Sequence, residues 1–96
     1  MTQLQKVTGK STAIYRDTEG IHVKYHSTRV VSLSVDGMVT LRSGGYRTFT
    51  TKVRMNQASN QFDLGFTVWQ KNFNWFVDLP DGSTRPFVEG MTFEAA

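Results

Sequence analysis

The chain has 96 residues, of which 39% are hydrophobic, 12% aromatic and 20% charged, with a net charge of +3. This length and composition are typical of one small globular domain with a modest core. The absence of cysteine excludes disulfides and thiolate metal sites. The sequence contains no run of about 18 apolar residues, so it predicts no membrane helix. The amino terminus has no apolar segment typical of a secretory signal. We therefore expect a single cytoplasmic domain over 1–96.

The charge is unevenly distributed along the chain. Residues 1–56 carry nine bases and three acids, a net charge of +6, whereas residues 57–96 carry two bases and five acids, a net charge of −3. A basic half attracts anionic partners through long-range electrostatics, although an ordinary solvated surface has the same composition.

The amino-terminal half predicts a loose lead-in followed by short strands. Residues 1–11 are polar and lack strand or helix periodicity, and a short strand is predicted over 12–15. Apolar and polar residues alternate over 21–26 and 30–35, as in strands with one buried face. In the second of these segments the inward residues are predicted to be Val31, Leu33 and Val35.

The Asp-Gly pair at 36–37 is the clearest hairpin signal in the chain. A two-residue loop would place apolar residues opposite polar ones. A three-residue loop that ends with a left-handed glycine places Leu33 opposite Val39 and Val31 opposite Leu41. Because a slip of one residue reverses every side chain, we predict the three-residue loop.

One helix is predicted over 50–62, with Thr50 or Thr51 as its N-cap. At about 100° per residue its apolar stripe is narrow, and most of its surface is polar. The stripe consists of Thr51, Met55, Ala58 and Phe62, and one flank consists of Arg54, Gln57 and Gln61.

The carboxy-terminal part predicts a hairpin whose strands span 65–70 and 73–79 and whose turn is Lys71-Asn72. Trp69 and Phe76 are predicted to lie diagonal to each other on the face opposite the core. An edge strand follows over 85–89, since a proline in it cannot donate to a ladder, and 91–93 adds a few strand residues. The predicted fold class is α+β, with one helix and about seven short strands in the order ββββαβββ. The strands are expected to form a twisted antiparallel sheet or a partly open small barrel.

The glycine pair Gly44-Gly45, just before the predicted helix, is the first candidate site. Glycine lets backbone N–H groups approach an anion, and a helix N-terminus adds partial positive charge. Arg42, Arg47 and Lys52 would add full charges. The spacing differs from that of a P-loop, and a plain corner that needs positive φ explains the same residues. Both interpretations remain open.

The segment 56–61 is rich in amide side chains, which is unusual for a helix. Amides read base edges or bind the backbone of a partner. They also occur as solvent-facing residues, or tie a helix to a strand edge. The sequence does not choose among these alternatives.

Aromatic residues are numerous for a small domain. Rings interleaved with bases suit single-stranded nucleic acid, whose bases stack on them. Most rings in a small protein nevertheless form its core. Tyr46, Trp69 and Phe76 are the candidates for surface exposure, although core positions remain the favoured interpretation.

Metal binding and catalysis are not expected. His22 and His26 lie four residues apart on a predicted strand, which separates them by about 13 Å, too far to share one ion. No acid has a spacing that supports either histidine. The chain also lacks a nucleophile elbow and a close carboxylate pair with an obvious partner. We therefore expect no enzymatic activity, no cofactor and no metal.

The block over 43–61, SGGYRT-x-TTK-x-RMNQASNQ, resembles a family of small proteins encoded by tailed bacteriophages. Further matching pieces are Tyr25-His26, Val30-Val31, 68–73 and Trp75-Phe76. The resemblance implies a phage accessory protein in a bacterial cytoplasm, which favours binding of a host factor or of nucleic acid. It implies no role for any single residue.

These observations lead to two hypotheses for a non-enzymatic accessory protein. In the first, it binds nucleic acid or another anion through Arg42, Gly44, Gly45, Tyr46, Arg47, Lys52, Arg54 and Lys71. In the second, it inhibits or adapts a host protein through Gln57, Gln61, Trp69 and Phe76. A role as a minor virion component and a homodimer formed through sheet edges are further alternatives, and no membrane partner is expected.

Overall fold

The computed structural model describes residues 11–45 and 47–96, which form eight strands and one helix. In chain order these are β1 (Thr12–Asp17), β2 (Gly20–Tyr25), β3 (Thr28–Ser34), β4 (Met38–Leu41), α1 (Phe49–Phe62), β5 (Thr67–Lys71), β6 (Asn74–Asp78), β7 (Thr84–Pro86) and β8 (Met91–Glu94). The predicted α+β class and element order are confirmed, with β8 as an additional full strand. Tyr46 and the lead-in residues 1–10 lie outside the described residues.

The strands divide between two antiparallel sheets, where the sequence predicted one twisted sheet or a partly open barrel. The larger sheet has the order β1-β2-β3-β4-β8 and the smaller has the order β5-β6-β7. Tight turns join most neighbouring strands, and after β7 the chain returns to the larger sheet, where Phe93 lies opposite Val39. The helix contacts β2 and β3 on one side and β5 on the other. It therefore connects the two sheets.

The core is built from both sheets and the helix. Phe66, just before β5, meets Phe93 of the larger sheet edge to face, with ring centroids 5.6 Å apart. Met55 and Ala58 of the helix are completely buried in the same cluster. Burial of apolar surface at this junction is the main force that joins the two sheets.

The hairpin of β3 and β4 has the register that the sequence predicted. Val31 lies opposite Leu41 and Leu33 opposite Val39, and Gly37 is left-handed with φ 88°. This register brings the apolar side chains onto one face, which is why the alternation sufficed to predict it.

Two details of β3 differ from the prediction. Val35 is 82% exposed because it lies in the turn rather than in the strand. Val30 is buried together with Val31, because the register of β2 and β3 shifts between Val23 and Lys24. Such a bulge lets two adjacent residues of one strand turn toward the core.

The β5–β6 hairpin turns at Asn72-Phe73, one residue later than predicted. Both residues have positive φ, 51° and 67°, as a two-residue type I′ turn requires. This turn places Trp69 directly opposite Phe76 rather than on the diagonal. The rings stack with centroids 4.8 Å apart.

The helix begins one residue earlier than predicted, and its N-cap is Thr48 rather than Thr50 or Thr51. Thr48 has extended backbone, with φ −100° and ψ 163°, and its hydroxyl accepts the Thr51 N–H at 3.2 Å. A cap needs that non-helical conformation. The prediction of a narrow buried stripe was also wrong, because sheets on two sides bury Thr51, Val53, Met55, Asn56, Gln57, Ala58 and Ser59.

The polar helix residues bind the free edge of β5. Asn56 accepts the Val68 N–H at 2.8 Å and donates to the Val68 carbonyl at 2.9 Å. Ser59 accepts the Phe66 N–H at 3.0 Å and donates to the Phe66 carbonyl at 2.6 Å. The helix therefore satisfies the backbone groups that a neighbouring strand would otherwise bind. Within the described residues, no helix has the length and apolarity needed to cross a membrane.

Candidate nucleic-acid interface

The helix runs antiparallel to β5, and this direction places its N-terminus beside the tip of the β5–β6 hairpin. Ser59 meets Phe66 and Asn56 meets Val68, and one turn earlier the Lys52 ammonium donates to Gln70 at 3.1 Å. We call this end of the molecule the basic end. It is formed by Arg47, Phe49, Lys52, Lys71 and Phe73.

Aromatic rings support the cations of the basic end. The Lys52 ammonium lies 5.9 Å from the centre of the Trp75 ring and 5.8 Å from that of Phe49. The Arg47 guanidinium lies 5.1 Å from the ring centre of Phe87, which packs edge to face on Trp75 at 5.5 Å. Such cation–π contacts hold the charges in place while leaving them accessible to a ligand. The structure thus brings Arg47 and Lys52 together. Lys71 follows Gln70 at the hairpin tip, where it pairs with Asn74 and projects from the opposite face of the strand.

Carboxylates gather at the other end of the small sheet. Asp63 is the C-cap of the helix, and Asp78 lies opposite Thr67 and Thr84, away from the hairpin tip. The hydroxyl of Thr84 and then the indole N–H of Trp69 donate to Asp78 and hold its pKa below the usual value. No acid occupies the first turn of the helix, so its partial positive charge adds to the basic end. The result is a charge separation along the helix and β5.

Two exposed rings of the basic end, Phe49 and Phe73, were missed by the sequence prediction. Phe49 is 66% exposed at the first helical position, and Phe73 is 91% exposed at the hairpin tip. A positive φ is a genuine outlier for a bulky side chain such as that of Phe73. Strained residues of this kind concentrate at functional sites. Alternation over β5 and β6 gave no signal for the true turn, because a turn at Lys71-Asn72 or at Asn72-Phe73 keeps Val68 and Trp75 on the same face.

Other predicted site residues lie away from the basic end. Arg54 donates to the Thr12 hydroxyl at 2.9 Å and to Gln57 at 3.3 Å, and its guanidinium lies 5.7 Å from the centre of the Tyr25 ring. It therefore faces the larger sheet. Arg42 is exposed just after β4, where its backbone N–H donates to the Val30 carbonyl at 3.1 Å. The predicted bases thus separate into at least two groups.

The glycine corner already holds a carboxylate, that of Glu89 in the loop between β7 and β8. The Ser43 N–H donates to both carboxylate oxygens at 3.0 Å, the Ser43 hydroxyl to one at 2.8 Å and the Gly44 N–H to the other at 2.8 Å. The Gly45 N–H donates to the Ser43 hydroxyl at 3.2 Å. Sequence reasoning missed Glu89, because 45 residues separate it from Gly44.

The predicted protein-binding residues have different environments. Gln57 is buried at 1% exposure, and Gln61 is exposed near the end of the helix. Trp69 and Phe76 are half-buried on the outer face of the small sheet, where Phe76 also lies opposite Pro86. Trp69, Phe76 and Pro86 thus form one row across β5, β6 and β7. The amide-rich helix and the aromatic row therefore do not combine into one surface.

His22 has an acid partner that the sequence prediction denied. Its ring nitrogens lie 2.8 Å from the Ser32 hydroxyl and 2.9 Å from Asp17. A carboxylate oxygen of Glu19 lies within 4.8 Å of both the Asp17 carboxylate and the His22 ring. Asp17 also accepts the backbone N–H of Glu19 and of Gly20, and Glu19 approaches Arg29 at 3.7 Å. The hydrogen bonds of the turn between β1 and β2 thus explain why the side chains of Asp17, Glu19 and His22 lie close together.

Comparison with known proteins places the chain in a phage context. The family model of the Kyanoviridae Gp96 protein matches residues 2–94. The chain belongs to this family. The predicted resemblance to a phage protein family is thereby confirmed at the level of the family. No curated protein and no solved structure matches the chain.

Stability of this Gp96 family member is expected to depend on pH through Glu89. Burial opposes ionisation, but the hydrogen bonds from Ser43 and Gly44 and the charge of Arg47 outweigh it and lower the pKa of Glu89. A depressed pKa gives stability that is present above the unfolded-state pKa and is lost as the pH falls through the folded-state value. At neutral pH, Glu89→Gln should lower the free energy of unfolding by about 1 kcal/mol after allowance for solvent screening.

Urea denaturation of the wild type and Glu89→Gln at neutral and acidic pH measures this effect. The difference between the two proteins isolates Glu89 from Asp17, Asp78 and Asp81, whose pKa values are also lowered. We expect the difference to shrink on acidification. A difference that grows as the pH falls would contradict the account.

Proposed function

We propose that this protein is a non-enzymatic phage accessory protein that binds single-stranded nucleic acid through the basic end, in the cytoplasm of the host. The observation that carries the proposal is the grouping of Arg47 and Lys52 with the exposed ring of Phe49. This group lies beside the hairpin whose tip carries Lys71 and Phe73. Membership of a phage protein family supports the setting.

The charges of the basic end suit a phosphate backbone. Arg47 and Lys52 are held on aromatic rings, near a helix N-terminus without an acid in its first turn. Phosphates are attracted both to such cations and to the positive end of the helix dipole. The carboxylates of Asp63 and Asp78 lie at the other end of the small sheet and would repel the strand there. Nucleic acid would therefore be drawn to the basic end.

The exposed rings favour a single strand over a duplex. Phe73 projects from a hairpin tip and Phe49 from a helix start, and both are mostly solvent-exposed. Unpaired bases stack on such rings, and each stacking contributes about 1–3 kcal/mol. The paired bases of a duplex are already stacked on one another. The combination of cations and rings is therefore best matched by single-stranded DNA or RNA.

The salt dependence of binding tests the electrostatic part of this proposal. Fluorescence anisotropy of a labelled oligothymidine of about 12 nucleotides would be followed at about 50 and 200 mM salt. Three phosphate contacts predict a slope of log K against log salt near −2, since each contact contributes about −0.7 for single strands. Arg47→Glu combined with Lys52→Glu should reduce the slope to about −0.7 and weaken binding sharply.

The matched control is Arg16→Glu combined with Lys24→Glu. Both residues are exposed on the larger sheet, so the control changes the net charge equally. For stacking, Phe73→Ala should weaken binding about tenfold, whereas Val35→Ala, at the exposed turn of another hairpin, should not. Equal losses in test and control variants, or no binding at low salt, would refute the proposal.

A second candidate function, docking on a host protein, is supported by the outer face of the small sheet. Trp69, Phe76 and Pro86 form a row across its three strands, and aromatic rows with few charges are typical of protein interfaces. Phe76→Ala should then abolish retention of a host protein from nuclease-treated lysate, while Arg47→Glu with Lys52→Glu should leave it unchanged. The opposite pattern would favour the basic end.

A further inference from the structure

The Glu89 carboxylate fills a site that has the chemistry of an anion receptor. The Ser43 N–H, the Ser43 hydroxyl and the Gly44 N–H all donate to its oxygens at 2.8 to 3.0 Å. The Arg47 guanidinium lies 5.1 Å from the ring centre of Phe87, two residues before Glu89, and its charge helps to lower the pKa of the Glu89 carboxyl. Converging backbone N–H groups with a nearby cation are the features by which proteins bind phosphate. Here an acid of the same chain occupies them.

The receptor loop packs against β3, whereas its occupant comes from the surface. Gly44 has φ 67°, and a Cβ atom at this position would lie 2.3 Å from the Thr28 hydroxyl, so the loop is seated against β3. Glu89 itself is exposed, and its neighbour Val88 is 60% exposed. Rotation of the Glu89 side chain would therefore empty the receptor without opening the core.

We infer that Glu89 is an internal substitute ligand for an anion site formed by Ser43 and Gly44, with Arg47 nearby, and that a phosphate group displaces it. The inference rests on the proposed function where the phosphate belongs to nucleic acid. While Glu89 is in place it offsets the charge of Arg47 and so weakens the basic end. Displacement would remove this opposing charge from the neighbourhood of Arg47 and add the N–H groups of the loop to the binding surface.

The test uses inorganic phosphate as the probe and the amide resonances of ¹⁵N-labelled protein as the readout. Glu89→Gln removes the charge of the occupant, and Glu94→Gln, at an exposed position of β8, is the matched control. In Glu89→Gln we expect the Ser43 and Gly44 amides to move saturably with phosphate. In the wild type and in Glu94→Gln they should respond at least roughly fivefold more weakly. A folded Glu89→Gln protein whose Ser43 and Gly44 amides ignore phosphate would overturn the inference.

Two further measurements keep the result decisive. If Glu89→Gln does not fold, Glu89→Asp withdraws the carboxylate by one methylene, and phosphate should then move the same amides. Oligothymidine should bind Glu89→Gln roughly fivefold more tightly than the wild type. Phosphate binding without any oligonucleotide binding would support the anion site and refute the proposed function. Equal oligonucleotide binding by both proteins, without a phosphate response, would refute only the anion site.

Discussion

Replacing Asn56 with alanine is expected to lower the free energy of unfolding by about 3 to 4 kcal/mol. The Asn56 amide is buried and makes two hydrogen bonds, at 2.8 and 2.9 Å, to the backbone of Val68 on the edge of β5. Alanine would leave both groups of Val68 buried without a partner, and each unsatisfied group costs about 1–3 kcal/mol. Urea denaturation measures the loss.

Asn60→Ala is the matched control, because Asn60 lies on the same helix and is exposed. It should change stability by less than about 0.5 kcal/mol. Asn56→Asp provides a second test. A protonated aspartic acid reproduces both hydrogen bonds, whereas a buried carboxylate repels the Val68 carbonyl. Burial should therefore raise the pKa of the new aspartic acid. As the pH falls, Asn56→Asp should become more stable relative to the wild type. Equal costs for Asn56→Ala and Asn60→Ala would contradict the role of the helix at this edge.

Gly20→Ala is expected to destabilise the protein by more than about 3 kcal/mol. Gly20 has φ 144°, and a Cβ atom there would lie 2.0 Å from the carbonyl oxygen of Leu33. That oxygen belongs to the backbone of β3, which pairs with β2 in the sheet. It therefore cannot move aside as a flexible side chain would. The new methyl group would force β2 and β3 apart.

Gly37→Ala separates this clash from the cost of positive φ. Gly37 has φ 88°, and a Cβ atom there would meet nothing within 4 Å. It should therefore cost only the roughly 1–2 kcal/mol of a left-handed alanine. Thermal denaturation of the two variants gives the comparison. Similar melting temperatures would show that β2 and β3 tolerate separation at this point.

Local patterns predicted the local parts of the fold. The register of β3 and β4 followed from an Asp-Gly signal and from apolar alternation within a few residues. The division into two sheets did not follow, because it depends on β8 returning to β4 across 52 residues, as from Thr40 to Thr92. The amide-rich helix shows the same limit. Asn56 and Ser59 bind an edge strand, one of the open alternatives, but only the docked structure identifies their partners.

The candidate site was predictable in part. Arg47, Lys52 and Lys71 were predicted to bind nucleic acid or another anion. The packing of the helix on β5 places Lys52 beside Gln70, and contacts with Phe87 and Trp75 bring Arg47 close to Lys52. Phe49 and Phe73 were missed because their exposure depends on a cap and a turn whose positions were each predicted wrongly by one or more residues. Side-chain charge alone could not separate Arg54 from this group, because its contacts with Thr12 and Tyr25 arise from tertiary packing.

Mapping of a bound oligonucleotide by NMR tests the central claim most directly. Amide resonances of ¹⁵N-labelled wild-type protein would be followed during titration with oligothymidine at low salt. The account predicts that the largest changes occur over 47–52 and 70–73, and that β1 and the acidic end around Asp78 change little. A nucleic-acid site at the basic end would be contradicted by changes centred on the outer face, at the amides of Trp69, Phe76 and the neighbours of Pro86. Changes spread evenly over the surface would contradict it as well.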